Sequence, residues 1–458
     1  MLAYQTAVQE LYRLGYELHK NAAYKFDLKH MRVLSEALGS PHARFPSVLI
    51  AGTNGKGSTA ATLASILRTA GYRTGLYTSP HLLRINERIR IDGEAISDAD
   101  FAAGYECVHA MAGELVAGGR LPTHPSFFET ITALAFRHFA EQRVDIIVAE
   151  VGMGGRLDAT NILEPLVCVV TDIDLDHQKF LGNTIREIAA EKAGIMRPGR
   201  PLVTLPQHPE ANQTLGKAIE ATGAIAVSAA RYVAPVSPGA GELVHQQAAH
   251  TSFAMNIMDE EVEIETPLLG RHQLRNLALA ISAAEELVKQ GFAISPRQVA
   301  EGIRLTRWPG RFQIVPAEAD ASRPEMVIDV AHNPAGAWAL RAALSEHFTA
   351  AEGKERKLIM IYGAMRDKAI REVGRILFPL AETVILTRAA GNPRAATTAE
   401  LMEAIGDCGT PLVPAPNVAE AVRLAMAEAQ PFGPRALLVI TGSIYIVGEA
   451  VQALGVWA

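Results

Sequence analysis

The chain has 458 residues, too many for one ordinary core, so two or three domains are expected. With 49% hydrophobic and 20% charged residues and a net charge of −6, it has the balance of a soluble globular protein. It carries no basic field that would draw it to nucleic acid or to an anionic membrane. The opening "MLAYQTAVQELYRLGYELHK" is amphipathic with acids and bases mixed, and it lacks the apolar core of a signal peptide. No apolar run reaches membrane-span length. Cys107, Cys168 and Cys408 are scattered without a C-x-x-C pair, which excludes a disulfide framework or a zinc motif. The expected address is the cytoplasm.

"SVLIAG" (47–52) reads as a buried strand running into a helix with Ala, Leu and Ile at helical spacing. A second short strand ends at "YTSPHL". "VDIIVAEVG" (144–152) and "LVCVVTDID" (166–174) are two more buried strands, separated by the glycine-rich "MGGRLDATN". From about 200 to 270 the pattern changes, and "TSFAMNIMDEEVEIETPLLG" reads as polar-edged antiparallel strands of a minor side sheet. "RHQLRNLALAISAAEELVKQG" is an amphipathic helix, and "RLTRWPGRF" (304–312) reads as a linker. Beyond it the strands "EMVIDVA", "RKLIMIYG", "TVILTR" and "RALLVITGS" alternate with helices. Short apolar strands alternating with helices predict α/β domains with parallel sheets that bind ligands at their carboxyl ends.

"GTNGKGST" (52–59) stands where a strand meets a helix, as a phosphate-binding loop does. Gly52, Gly55 and Gly57 let backbone N–H groups turn toward phosphate oxygens, the helix end adds its dipole, and Lys56 adds a point charge. In the common loop the hydroxyl residue directly follows the lysine. Here Gly57 intervenes, which moves the first hydroxyl, Ser58, by about 100° around the helix axis. A magnesium ion would then need further ligands nearby, since it prefers six oxygens and keeps waters. Three candidates stand at strand ends: Ser79, Glu150 and His177. By residue type alone each is weak, since a serine before proline is usually a turn residue, a terminal glutamate usually solvated and a lone histidine usually a satisfied group.

An aromatic or apolar wall with an acceptor beside it can hold a flat ring that carries an N–H edge. Phe127 and Phe128 in "PSFFET", with Asp158 and Asp27, offer both. The alternative readings are a core stripe for the Phe pair and a helix N-cap for Asp27.

Taken in order, "GTNGKGST", "SPHL…NERI", "EVGMGGRLDATN", "EKAGI" and "DVAHNP" resemble the folylpolyglutamate synthase family of the Mur-ligase superfamily, whose members include bifunctional dihydrofolate synthases. The resemblance runs from about Ala23 to Gly448. It implies an N-terminal P-loop ATPase-type domain with a small side sheet over 1–306. A C-terminal Rossmann-like, glutamate-binding domain would follow over 307–458. It further implies ATP held by Asn54, Gly55, Lys56, Gly57, Ser58, Asn276, Arg311 and Asp329, with about two magnesium ions involving Ser79, Glu150 and His177. Lys192, in "EKAGI", matches a lysine that relatives carbamoylate, although by type it reads as a solvated helix charge. Substrate contacts are implied at Asp27, Ser126, Phe127, Phe128, Glu129, Leu157, Asp158, Ala159 and Ser443. Ser126 stands where relatives often carry threonine. His332 is a candidate for the phosphate or the incoming glutamate.

The implied activity is ATP-dependent joining of L-glutamate to a pterin carboxylate, with dihydropteroate, tetrahydrofolate or both as acceptor, by a monomer. A cell-wall Mur ligase fits less well, because of the Lys-Gly-Ser loop and because the loop lies too near the first residue for a preceding UDP-binding domain. A nucleotide-binding protein without ligase activity is the reading from another class.

Overall fold

Buried β-branched runs and amphipathic helices build two units in a computed structural model that describes residues 2–15, 27–234, 245–246, 250–318, 323–348 and 356–456. The first unit holds 1–235, 254–264 and 275–306, and the second holds 236–253, 265–274 and 307–458. Phe26 and the neighbouring end of the amphipathic N-terminal stretch lie outside the described residues.

In the first unit the strands are β1 (Ser47–Ala51), β2 (Thr74–Tyr77), β3 (Ile89–Ile91), β4 (Glu94–Ala95), β5 (Ile146–Glu150), β6 (Val167–Val170), β7 (Pro201–Thr204) and β8 (Ile225–Ser228). They form one sheet in the order β4-β3-β2-β5-β1-β6-β7-β8. Pairing is parallel from β2 to β8, and β3 and β4 add an antiparallel edge. The central strands are buried at every residue, which explains their unbroken apolar spelling. Their carboxyl ends all deliver polar loops to one edge. β1 ends at the glycine-rich loop, β2 at Ser79, β5 at Glu150 and β6 at "TDID". β6 is shorter than the predicted strand, because Asp172 turns its carbonyl to Thr53 and Asn54 instead of to a neighbouring strand.

The predicted minor sheet is also shorter. β7, the helix Pro209–Thr222 and β8 continue the large parallel sheet as a strand–helix–strand unit. The apolar "PLVT" and the amphipathic helix behind it follow the same logic as the preceding units. Only β9 (His245–Gln246), β10 (Thr251–Ile257) and β11 (Glu260–Thr266) form the separate three-stranded sheet, ordered β11-β10-β9.

The second unit contains β12 (Gln313–Val315), β13 (Glu325–Ile328), β14 (Lys357–Tyr362), β15 (Thr383–Leu386), β16 (Leu412–Pro414) and β17 (Ala436–Thr441). Their order is β12-β13-β17-β14-β15-β16, parallel except for the β12–β13 edge. The chain runs from β13 past one strand position to β14, β15 and β16, and only then returns to insert β17 between β13 and β14. Among the described residues no helix is long and apolar enough to cross a membrane.

Candidate active site

Two glycines show how tightly the loop after β1 is built. Gly52 has φ +155°, and a Cβ there would lie 1.7 Å from Thr171 Oγ1. Gly55 has φ +89°, and a Cβ there would lie 2.1 Å from the side-chain oxygen of Asn276. Asn276 is 5% exposed, so it can yield little. The N–H groups of Thr53 and Asn54 donate to Asp172 O at 2.8 and 3.3 Å. Thr53 Oγ1 donates to Asp174 O at 3.1 Å and accepts from Asp174 N at 3.0 Å. Arg275 grips the Asp172 carboxylate through Nε at 3.0 Å and Nη2 at 2.6 Å. The loop is therefore braced from β6 and from the helix Arg271–Val288. That leaves the N-terminal turn of the helix Lys56–Thr69, with its outward N–H groups, as an anion site. Gly55→Ala combines a strained φ with a steric clash. It is expected to raise the KM for ATP by about 10-fold or more, read by steady-state kinetics alongside a melting curve.

Lys56 Nζ lies 3.8 Å from Glu150 Oε1 and donates to Thr53 O at 3.2 Å. Glu150, 4% exposed, also accepts from Ser79 N at 3.2 Å, beside the cis Ser79–Pro80 bond. The structure thus brings together Lys56, Glu150 and Ser79. His177 stands beside Asp176, its Nε2 3.9 Å from Asp176 Oδ2, at φ +50° ahead of the short helix Gln178–Leu181. Among the described residues no cluster of three or more His, Cys, Asp or Glu forms a metal site. Glu150 and Ser79 put a carboxylate and a serine together at one strand-end corner, oxygen donors of the hard kind that magnesium takes while keeping several waters.

Lys192 is not the solvated helix charge its type suggests. It is 3% exposed, and its Nζ donates to Gly52 O at 2.7 Å. Burial, and next the positive Lys56, lower its pKa to about 7, while Asp176 and Asp158 pull the other way. A substantial share of neutral, nucleophilic amine is therefore present at neutral pH, directly beneath the phosphate loop.

Ser126 caps the helix Phe127–Glu141 and pairs with Glu129 in a reciprocal capping box. Phe127 is 2% exposed and belongs to the core, whereas Phe128 is half-buried. A Cβ on Gly152 would meet the Phe128 ring at 2.4 Å, so only glycine lets the strand-end loop lie flat on that ring. Asp158 is buried and accepts from Met153 N, Thr160 N and Thr160 Oγ1, at 2.9, 3.0 and 2.5 Å. Burial raises its pKa while these bonds lower it. Leu157 is half-buried and Ala159 buried on either side of it. Asp27 is an exposed N-cap that accepts from Lys29 N at 2.8 Å.

In the second unit Asp329 ties the linker to the end of β13. It accepts from Phe312 N and Ala331 N, both at 2.8 Å, and Arg311 stabilises its charge against burial. His332 follows with Nδ1 3.1 Å from Val330 O. Ser443, 4% exposed, caps the helix Ile444–Leu454 just past β17.

Reading by residue type passed over Asp172, Arg275, His81 and Arg88. The polar "TDIDLD" at a strand end marked the first of these. The others became visible only through contacts between residues distant in sequence.

Residues 50–284 match the Mur ligase middle domain, and residues 310–444 match the Mur ligase glutamate ligase domain. The dihydrofolate synthase/folylpolyglutamate synthase of Bacillus subtilis is 33% identical over 92% of this chain and 93% of its own length. The Mycobacterium tuberculosis folylpolyglutamate synthase solved with ADP and AMPPCP superposes with a TM-score of 0.86 at 31% identity, covering 99% of each chain. Escherichia coli FolC in complex with DHPP and ADP gives a TM-score of 0.80 at 29% identity, over 98% of this chain and 97% of that one. With both domain matches in order and full-length similarity of this degree, the chain belongs to the dihydrofolate synthase/folylpolyglutamate synthase family of Mur ligases.

Proposed function

We propose that the protein joins L-glutamate to pterin carboxylates at the expense of ATP, making dihydrofolate from dihydropteroate and extending folates to polyglutamates. The observation that carries this reading is the braced loop Gly52–Thr59 with Lys56, Glu150, Ser79 and the buried Lys192 at one sheet edge. The Bacillus subtilis relative bears both synthase names, and the Escherichia coli relative was solved with ADP and DHPP. The two-domain division at 306/307, monomeric state and cytoplasmic location belong to the same reading.

In the reaction a pterin carboxylate oxygen attacks the γ-phosphorus, and the bond to the ADP oxygen breaks. The α-amine of glutamate then attacks the acyl carbon, loses a proton, and expels phosphate from a tetrahedral intermediate. Asn54, Gly55, Gly57 and Ser58 shape the phosphate cradle, and Lys56 offsets charge on the transferring group. Asn276 supports the adenine side, and Arg311 and Asp329, which match the family's motif, are further ATP contacts. Ser79, Glu150 and His177 would hold magnesium, which when bound neutralises phosphate charge. Phe128 provides the ring wall, with Phe127 behind it, and Ser126 and Glu129 fix its helix. Asp158, framed by Leu157 and Ala159, is the acceptor for a pterin N–H, a role that competes with the bonds it already accepts from Met153, Thr160 and Gly152, and Asp27 is a further carboxylate for the substrate. Ser443 and His332 serve the incoming glutamate or the departing phosphate.

The test is a product assay with ATP, magnesium, glutamate and each acceptor in turn. Glutamate-dependent ADP release with both dihydropteroate and tetrahydrofolate is the expected result. Extension of folates without dihydrofolate formation would leave a monofunctional folylpolyglutamate synthase. ATP turnover indifferent to glutamate would remove the ligase reading.

A further inference from the structure

Four side chains from separate parts of the first unit close a ring behind the helix that begins at Phe127. The Arg88 guanidinium, 1% exposed, lies 5.3 Å above the Phe127 ring. Its Nε donates to His81 Nδ1 at 2.9 Å. His81 Nε2 lies 3.3 Å from the Tyr12 hydroxyl. Tyr12 in turn stacks on Phe127, with ring centroids 5.4 Å apart and planes at 24°. Because Nδ1 accepts from Arg88, the proton of the neutral ring sits on Nε2 and is donated to the Tyr12 oxygen. Each member thereby fixes the next: Arg88 the tautomer, His81 the tyrosine, and Tyr12 with Arg88 the two contacts of Phe127.

The ring joins two stretches that the reaction uses but that contribute different groups. His81 stands two residues after Ser79, whose N–H bonds Glu150. Phe127 stands between the Ser126 cap and Phe128, whose ring is pressed on Gly152. An arginine buried to this degree is costly for packing alone, since a hydrophobic residue would fill the same volume without desolvation. Its planar, always-charged head both stacks and donates in a fixed direction, which lysine cannot reproduce.

We infer that Arg88 and His81 are positioning residues that, through Phe127, set the aromatic wall for the acceptor ring and align it with the Ser79–Glu150 corner. This rests on the ligase reading above. Its contacts run among Tyr12, His81, Arg88 and Phe127, beside the Phe128 wall, so its loss is expected to act on the acceptor and not on the nucleotide.

The experiment compares His81→Asn with His81→Gln in the full chain. An Asn carbonyl falls near the Nδ1 position and can still accept from Arg88, whereas a Gln carbonyl falls near Nε2 and cannot. For His81→Asn, the dihydropteroate KM is expected to stay within about 3-fold of the parent. For His81→Gln and Arg88→Lys, it is expected to rise about 10-fold while the ATP KM moves less than about 2-fold, the loss of orientation being worth roughly one hydrogen bond to a charged group. Tyr12→Phe keeps the stack and is expected to resemble His81→Asn. Equal acceptor KM values for Asn and Gln variants, or acceptor and ATP KM rising together, would overturn the inference. A variant that does not fold, by circular dichroism, is replaced in the comparison by the Tyr12→Phe and Arg88→Lys pair, read by the same two KM values. The parent is assayed first. If it makes no product from dihydropteroate, the ligase reading fails for that acceptor and the KM comparison moves to tetrahydrofolate. If the parent turns over and the variants match it, only the positioning role fails.

Discussion

Replacing Lys56 by Ala is expected to lower acceptor- and glutamate-dependent ADP formation on the order of 10³-fold, the scale of removing one preorganised charge from a phosphoryl-transfer site. Lys56 sits where the helix N-terminus meets Glu150, 3.8 Å from a nearly buried carboxylate. Its ammonium is a compact charge aimed at the loop mouth and braced through Thr53 O. The helix behind it packs through Ala60, Leu63, Ile66 and Leu67, all buried, and none of these depends on Lys56. The fold should therefore survive through this packing, with stability lowered by a buried Glu150 that has lost this ion-pair partner. Lys56→Arg keeps the charge but spreads it over a planar fork, and recovery is expected to be partial at best. Parental rates in a folded Lys56→Ala protein would remove the loop from the chemistry.

The central strands were legible in the sequence because strands buried on both faces spell unbroken apolar runs. "SVLIA", "IIVAE" and "VCVV" could hardly be anything else once turn residues bounded them. The site was legible where chemistry forces a residue type, as at Gly52 and Gly55, where only a hydrogen fits. It was not legible where a role depends on partners far away in the chain. Arg275 reads as one more helix cation until Asp172, 103 residues distant, takes its fork. Phe127 and Phe128 are indistinguishable by type, yet one faces the core and the other keeps an open side, because helical geometry turns neighbours by about 100°. The span 201–228 was misplaced for a similar reason. β8 is a largely exposed edge, so its four residues carry no strong burial signal, and only pairing with β7 declares it parallel.

Lys192→Ala is expected to reduce activity at least about 100-fold, beyond what loss of a supporting residue usually costs. The parent's activity is expected to fall reversibly when carbon dioxide is stripped from the buffer. Both follow from a buried amine with a pKa of about 7. Its neutral form adds carbon dioxide, forming an N–C bond and releasing a proton, so a cation becomes a carbamate with two oxygens. That product replaces repulsion from Lys56 by attraction, its N–H can still donate to Gly52 O, and the Asp176 and Asp158 carboxylates oppose its charge. Stability of the uncarbamoylated protein should follow the same logic. The folded pKa lies below the unfolded value of 10.5, so the unfolded chain binds more protons between the two. Unfolding free energy therefore rises with pH from about 7 to about 10.5, with a limiting slope of about 1.4 kcal/mol per pH unit. It declines again as pH falls through that window. Urea denaturation of the parent and of Lys192→Met across this range, in carbonate-free buffer, should show the slope only in the parent. Labelled bicarbonate gives an independent reading, since a carbamate carbon resonance should appear in the parent and vanish in the variant. A free ammonium at position 192 in a crystal of the active, ATP-bound enzyme, or an activity indifferent to carbon dioxide, would contradict the carbamate and leave Lys192 as a buried brace on the Gly52 carbonyl.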